Sequence, residues 1–272
     1  MNMAWDKKGK SKKKTVELNK DSFFKRADTF VHTQGLKTMA WGEAEVGKTF
    51  FGLSGEPPIY AIGTEFGIGP VLRHFPDKEI YVYEAAILDE STDEPDIEAS
   101  LKNLEVAIST LKDVDRGTIL IDSGTDIWGW LGAWVEQQAR KAGKMTSAGT
   151  PQRLQWGRAN LRWRQLILRL MAKPVHFIIT AQVSEEYNDK GQPTGVYRPR
   201  IQRQTAHMCD VILHLEKTFT KARPPKPQYM ATLTKCRFQR GVDMQLPNVT
   251  WQTLTEALKE KLGVEVKGSE VK

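Results

Sequence analysis

The sequence predicts an α/β protein with a mostly parallel central sheet flanked by helices, and three observations carry that reading. Apolar runs of strand length recur along the chain, at 36–41, 59–63, 80–83, 118–123 and 175–182. Strands buried on both faces of a parallel sheet read as such continuous runs rather than as an alternation. Between them lie segments with apolar residues every three or four positions, the mark of amphipathic helices. The first run leads directly into Gly42-Glu43-Ala44-Glu45-Val46-Gly47-Lys48-Thr49, which fits G-x-x-x-x-G-K-[ST] and joins a strand to a helix. At 272 residues the chain is long enough for a full α/β core.

That octapeptide is a phosphate-binding loop. Its two glycines let the backbone curl so that successive N–H groups point into one concavity, and the helix behind adds its positive N-terminal end. Lys48 would neutralise the β- and γ-phosphates, and the Thr49 hydroxyl would hold Mg²⁺. The residues expected at the nucleotide are therefore Gly42, Glu43, Ala44, Glu45, Val46, Gly47, Lys48, Thr49 and Phe50.

Ahead of the loop, residues 1–20 carry Lys7, Lys8, Lys10, Lys12, Lys13 and Lys14. These repel one another and bury nothing, so disorder is expected there, as a nucleic-acid-grasping arm or a solubilising tail. A short helix at 21–27 would lead to the first strand at 36–41. Past the loop helix, Pro57-Pro58 breaks the chain and the second strand, 59–63, ends in Thr64-Glu65-Phe66-Gly67. A carboxylate at that strand tip can lie beside the γ-phosphate and polarise the attacking water. The alternative for Glu65 is an acid near the start of a helix predicted over 69–75.

A third strand at 80–83 and an acidic surface loop at 86–96 follow. Ile97, Leu101, Leu104, Ile108 and Leu111 then mark an amphipathic helix. The apolar strand 118–123 carries Asp122 about 75 residues beyond the phosphate loop, where it would accept from a water on Mg²⁺ and orient the Thr49 ligand. A helix over 126–140 leads to a Gly-, Lys- and Ser-rich segment, 141–150, expected to be mobile. Thr150-Pro151 reads as the N-cap and first turn of the next helix, which runs to about 172. Trp156, Trp163, Ile167 and Leu170 share one side of it. Arg158, Arg162 and Arg169 fall within about 40° of one another on the opposite side. The tryptophans read as core or subunit contacts, or as base-stacking platforms.

The buried strand 175–182 should deliver Thr180 and Gln182 to the γ-phosphate edge. Beyond it, 183–204 mixes Tyr187 and Tyr197 with Arg198, Arg200 and Arg203, a combination that suits single-strand contact by stacking and charge. A β-hairpin is the alternative. Strands at 210–216 and 229–235, joined by a basic, proline-rich connection, and a closing helix at 250–262 complete the chain. The domain expectation is a basic arm and lead-in over 1–34, one ATPase domain over 35–262 and a tail over 263–272.

The net charge of +7 is unevenly spread. No acidic residue falls between Gln137 and Ser184, whereas Arg140, Lys141, Lys144, Arg153 and five further basic residues do. A second acid-free stretch, 217–241, adds seven basic residues. This segregation points to a polyanion-binding face; a solvated surface is the alternative. Cys209 and Cys236 give neither a disulfide framework nor metal-ligand spacing. No apolar run approaches the ~20 residues of a membrane span, and no apolar segment follows the basic N-terminus as in a secretory signal. A cytoplasmic location, with no membrane partner, is expected.

These residues, in this order, resemble the RecA/RadA/KaiC/DnaB class of P-loop ATPases over about residues 35–245, and most nearly the phage single-strand annealing ATPases of the Sak group. The resemblance rests on Gly42 to Thr49, on 59–67 with its terminal Glu65, on 119–123, on 178–182 and on Thr234-Lys235-Cys236-Arg237. It implies a RecA-like core using ATP and Mg²⁺, with Lys48, Glu65 and Gln182 as catalytic residues. It also implies Lys235 and Arg237 acting on a neighbouring subunit's nucleotide. By the same analogy 141–151 and 184–204 take the places of two DNA-binding loops, with Lys141, Lys144, Arg153, Arg198, Arg200 and Arg203 as DNA contacts. The partners implied are single-stranded DNA and further copies of the chain in a ring or filament. The chain departs from the family in showing no N-terminal helix-hairpin-helix module and no clear polymerisation motif. A helicase or packaging motor of the same fold, or an ATP-gated regulator without nucleic acid, are the competing functions.

Overall fold

A computed structural model describes residues 35–188 and 190–266. The arm at 1–20 and the helix expected at 21–27 lie outside the described residues, as does most of the C-terminal tail. The described residues form nine strands: β1 (Lys37–Gly42), β2 (Ile59–Gly63), β3 (Ile80–Glu84), β4 (Thr118–Asp122), β5 (His176–Tyr187), β6 (Pro193–Pro199), β7 (Val211–Phe219), β8 (Pro227–Cys236) and β9 (Gln245–Pro247). They make one sheet in the order β3-β2-β4-β5-β1-β7-β8-β9, with β6 paired to β5 outside that path. The pairings of β1 with β5 and β7, of β2 with β3 and β4, and of β4 with β5 are parallel. The expected α/β fold, a mostly parallel sheet flanked by helices, is the observed one.

Side chains alternate across the sheet and so build two cores. Met39, Ile119, Ile121, Phe177 and Ile179 face one layer, whereas Ala40, Leu120 and Ile178 face the other. The first layer is closed by α3 (Ile97–Thr110), α4 (Gly124–Lys141) and α5 (Trp156–Met171), which contribute Leu101, Leu104, Leu131, Trp163 and Ile167. The second is closed by α1 (Lys48–Leu53) and α7 (Trp251–Leu262) through Phe51, Leu53, Trp251 and Leu254. Two short helices, α2 (Gly69–Leu72) and α6 (Thr205–Met208), sit in connections. The ends of α3 and α7 are set by local chemistry. Asp96 accepts from the Ala99 N–H, and Thr250 with Thr253 makes a reciprocal cap. Among the described residues no helix is long and apolar enough to cross a membrane.

Four sequence expectations change. The helix expected over 69–75 stops at Leu72 and gives way to turns. Thr150 does not cap a helix: its hydroxyl pairs with that of Thr146, and Pro151 bridges to Met145 in extended form. The next helix therefore starts later, with a 3₁₀ turn at Arg153–Gln155 ahead of α5. The segment 183–204 is largely a β-hairpin, since β5 runs on to Tyr187 and pairs with β6. The arginine face of α5 is incomplete as well: Arg162 donates to Glu105 at 2.9 Å and lies over the Trp134 ring, leaving Arg158 and Arg169 exposed.

Candidate nucleotide site

Parallel pairing brings the C-terminal ends of β1, β2, β4 and β5 to one edge of the sheet, and the site is assembled there. β1 ends at Gly42, where a side chain would stand 2.2 Å from the Leu215 carbonyl oxygen, so only glycine lets the loop leave the strand beside β7. Gly47, with φ of 94°, turns the chain into α1 in a conformation that glycine adopts without strain. Between them Val46 is buried as an anchor, while Glu43, Ala44 and Glu45 are exposed and Glu45 pairs with Lys217 at 3.4 Å.

The Lys48 ammonium donates to the Gly42 carbonyl at 3.0 Å and to that of Glu43. Burial lowers its pKa, while Asp122, Glu65 and Glu43 oppose that shift. Asp122, at the tip of β4, accepts from the Thr180 hydroxyl. Glu65, just past β2, accepts from Gln182 Nε2 at 2.8 Å and lies 3.1 Å from Ser123 Oγ. Burial, then the neighbouring Asp126 carboxyl, raises its pKa. Lys48, Thr49, Glu65, Asp122 and Gln182 all line one cavity of about 630 Å³, whose floor is the loop itself. The residues named from sequence for phosphate, metal and water thus share a single space. Thr180 lies just behind it, holding Asp122.

Sequence reasoning missed a second feature. A more apolar cavity of about 440 Å³ adjoins the loop at Glu45, Val46 and Gly47. It is lined by Phe50, His74, Leu215, Tyr229, Asn248 and Val249, and Phe50 packs edge-on to His74 with centroids 5.8 Å apart. A slot of this character suits a flat, apolar base. These residues come from separate parts of the chain, so only Phe50, next to the loop, was visible in the sequence.

A family model described as an AAA domain matches residues 34–237. The chain belongs to the AAA domain family. The match takes in the phosphate loop, Glu65, Asp122 and Gln182, and stops at Arg237, short of β9 and α7. A solved structure, the crystal structure of the RadB recombinase, is 18% identical, with a TM-score of 0.45 over 79% of this chain and 87% of that chain. No curated protein matches the chain.

The remaining candidates of this AAA domain lie apart from the nucleotide cavity. Lys141, the last residue of α4, and Lys144 and Arg153 beyond it are exposed. Arg198 is bound to Glu186 at 2.7 Å, so it is not a free cation. Arg198, Arg200 and Arg203 line a third cavity of about 650 Å³ with Trp128, Asn160 and Ser184. Lys235 lies at the end of β8 and Arg237 just past it; β8 is antiparallel to β7, and Cys236 pairs with Val211 at the start of β7. They therefore sit at the edge opposite the phosphate loop. Lys235 Nζ donates to the carbonyls of Ala206 and Cys209 at 2.6 and 2.7 Å. Arg237 binds Asp210 at 2.8 Å and the His207 carbonyl at 2.6 Å.

Proposed function

We propose that the chain binds ATP with Mg²⁺ at Gly42 to Thr49, hydrolyses it with Glu65 as general base, and couples this cycle to single-stranded DNA in annealing or recombination. The observation that supports the reading most is the shared cavity of Lys48, Thr49, Glu65, Asp122 and Gln182. The donor set fits a hard cation: one hydroxyl and one carboxylate leave most coordination to phosphate oxygens and water, as Mg²⁺ prefers. Among the described residues no group of three or more His, Cys, Asp or Glu could hold a metal ion by itself.

Thr49 and, through a water, Asp122 would hold Mg²⁺, which would supply positive charge to the transferring phosphate. The chain's own groups do the rest. Main-chain N–H groups of the loop cradle the phosphates, and the Lys48 ammonium exchanges its loop carbonyls for phosphate oxygens. Glu65 takes a proton from the attacking water as that oxygen bonds to phosphorus and the bond to the β-phosphate oxygen breaks. Gln182 fixes the Glu65 carboxylate, and the apolar slot beside Phe50 takes the base.

The link to DNA rests on charge and connectivity. One acid-free basic stretch contains α5 and the start of β5, and the second spans the end of β7 and β8. The Gln182 carbonyl accepts from the Arg200 N–H at 2.7 Å, and Thr125 bridges the Gln182 N–H and the Arg200 carbonyl. A change at Gln182 is thereby felt at Arg200. Turnover measured without polynucleotide, with single-stranded DNA and with duplex DNA tests the reading. Stimulation by single strands is expected; turnover indifferent to all DNA would favour the ATP-gated regulator.

A further inference from the structure

Beside the nucleotide cavity a line of oxygens needs one more hydrogen than its hydroxyls provide. Glu65 Oε1 lies 3.1 Å from Ser123 Oγ, Ser123 Oγ 2.7 Å from Asp126 Oδ2, and Asp126 Oδ2 2.7 Å from Thr64 Oγ1. Each contact has hydrogen-bond length, and two oxygens at such distances without a hydrogen between them repel. Ser123 and Thr64 bring one hydroxyl hydrogen apiece. The nearby N–H groups are directed elsewhere: that of Ser123 to Thr64 Oγ1 at 2.7 Å, and the Gln182 amide to Glu65 at 2.8 Å. Three contacts and two hydroxyl hydrogens leave one place for a carboxyl proton.

We infer that Glu65 and Asp126 share a single proton through Ser123, so that Asp126 and Ser123 are positioning residues that set when the base is armed. The inference rests on the assignment of Glu65 as base. In one arrangement Glu65 is the acid, donating to Ser123 Oγ, whose own hydrogen goes to the Asp126 carboxylate. In the other the proton sits on Asp126, Ser123 donates to Glu65, and Glu65 is the anion that can take the water's proton. That transfer breaks the water's O–H bond, turns its electron pair on phosphorus and leaves two protons on the pair, one of which must leave before the next turnover.

The charged group of the cavity that acts directly on Glu65 is Lys48, which also interacts with Glu43 from the loop and Asp122 from β4; Asp122 in turn faces Glu84 at the end of β3. Lys48 favours the anion on Glu65, and Glu43 and Asp122 compete with Glu65 for that ammonium.

Infrared difference spectra of the nucleotide-free protein near neutral pH test this. Unmodified protein minus Glu65→Gln, and unmodified protein minus Asp126→Asn, should each show the loss of one protonated-carboxyl C=O band, because either amide supplies the missing hydrogen itself. Asp126→Asn should also move the acid limb of the turnover profile down by about one pH unit, since Glu65 loses its anionic partner. Flat difference spectra, or a lower kcat with the acid limb unmoved, would overturn the inference in favour of a purely structural Asp126. Glu65→Gln, which keeps the side-chain shape, decides the spectral question alone should Asp126→Asn fail to fold. A lost band together with normal turnover in Glu65→Gln would keep the shared proton and remove Glu65 as base.

Discussion

Glu65 stands between a neutral amide, Gln182, and a hydroxyl, Ser123, in a site that resists its charge. Burial and Asp126 raise its pKa, so it is a carboxylate only above the usual glutamate range, and turnover should fade on the acid side at correspondingly higher pH. Glu65→Gln should keep ATP·Mg²⁺ affinity and hydrolyse ~10²–10⁴-fold more slowly; normal hydrolysis would place the base elsewhere. Lys37 makes a different prediction, about stability. Its ammonium donates to the Lys173 and Val175 carbonyls, and burial, partly offset by Asp210, pulls its pKa down to about 8. Below that pH the lysine is charged in both folded and unfolded chains, and the fold bears the cost of burying it. Above it the unfolded chain still holds the proton, so stability rises with pH until the unfolded lysine titrates in turn. In denaturant titrations from neutral pH to about pH 10, unmodified protein should gain stability relative to Lys37→Met. A constant difference would show that Lys37 does not titrate as its burial requires.

At the scale of elements, the hairpin of β5 and β6 is the part most exposed to test. Arg198→Ala with Arg200→Ala should weaken single-stranded DNA binding for all sequences alike. The logarithmic salt slope should flatten by roughly 0.7 for each phosphate that is no longer neutralised. Unstimulated turnover should stay nearly intact, because neither side chain lines the nucleotide cavity. Arg200 should account for more of the loss than Arg198, which already serves Glu186 in a half-exposed pair of modest worth. An unchanged salt slope would remove the hairpin from the DNA surface. The elements themselves were legible because their signals are local: an apolar run such as Ile119-Leu120-Ile121 is buried wherever it pairs. Pairings over distance were not legible. Glu105 claims Arg162 from another helix, and nothing in the Arg158/Arg162/Arg169 spacing shows it. The direction of β8 follows from its short connection to β7, which cannot hold the crossover of a dozen or more residues that a parallel neighbour needs. The apolar cavity beside Phe50 and the Thr64–Ser123–Asp126 line depend on which segments become neighbours in the fold.

At the scale of the molecule, Lys235 and Arg237 cannot reach the phosphate loop of their own chain across the full height of the sheet. They could serve only a second copy, in a head-to-tail contact of the kind that closes rings or grows filaments. Lys235 is committed to carbonyls at the end of α6, whereas Arg237 keeps an exposed side chain and is the better candidate to act in trans. Mixing Lys48→Ala subunits with Arg237→Ala subunits should restore partial turnover at the interfaces that combine an intact loop with an intact arginine. Full, concentration-independent turnover by a monomer would rule this out.

The central claim is that Gly42 to Thr49 is a working ATP site, and Lys48→Ala tests it most directly. Among the described residues its ammonium bonds only to the Gly42 and Glu43 carbonyls, so removing it should leave the fold intact by circular dichroism and thermal melting. What it should remove is charge stabilisation of the transferring phosphate, an effect often worth about 3 kcal/mol or more. Turnover of ATP·Mg²⁺ by the folded variant should therefore fall at least about a hundredfold. Undiminished turnover in a folded Lys48→Ala protein would contradict the account.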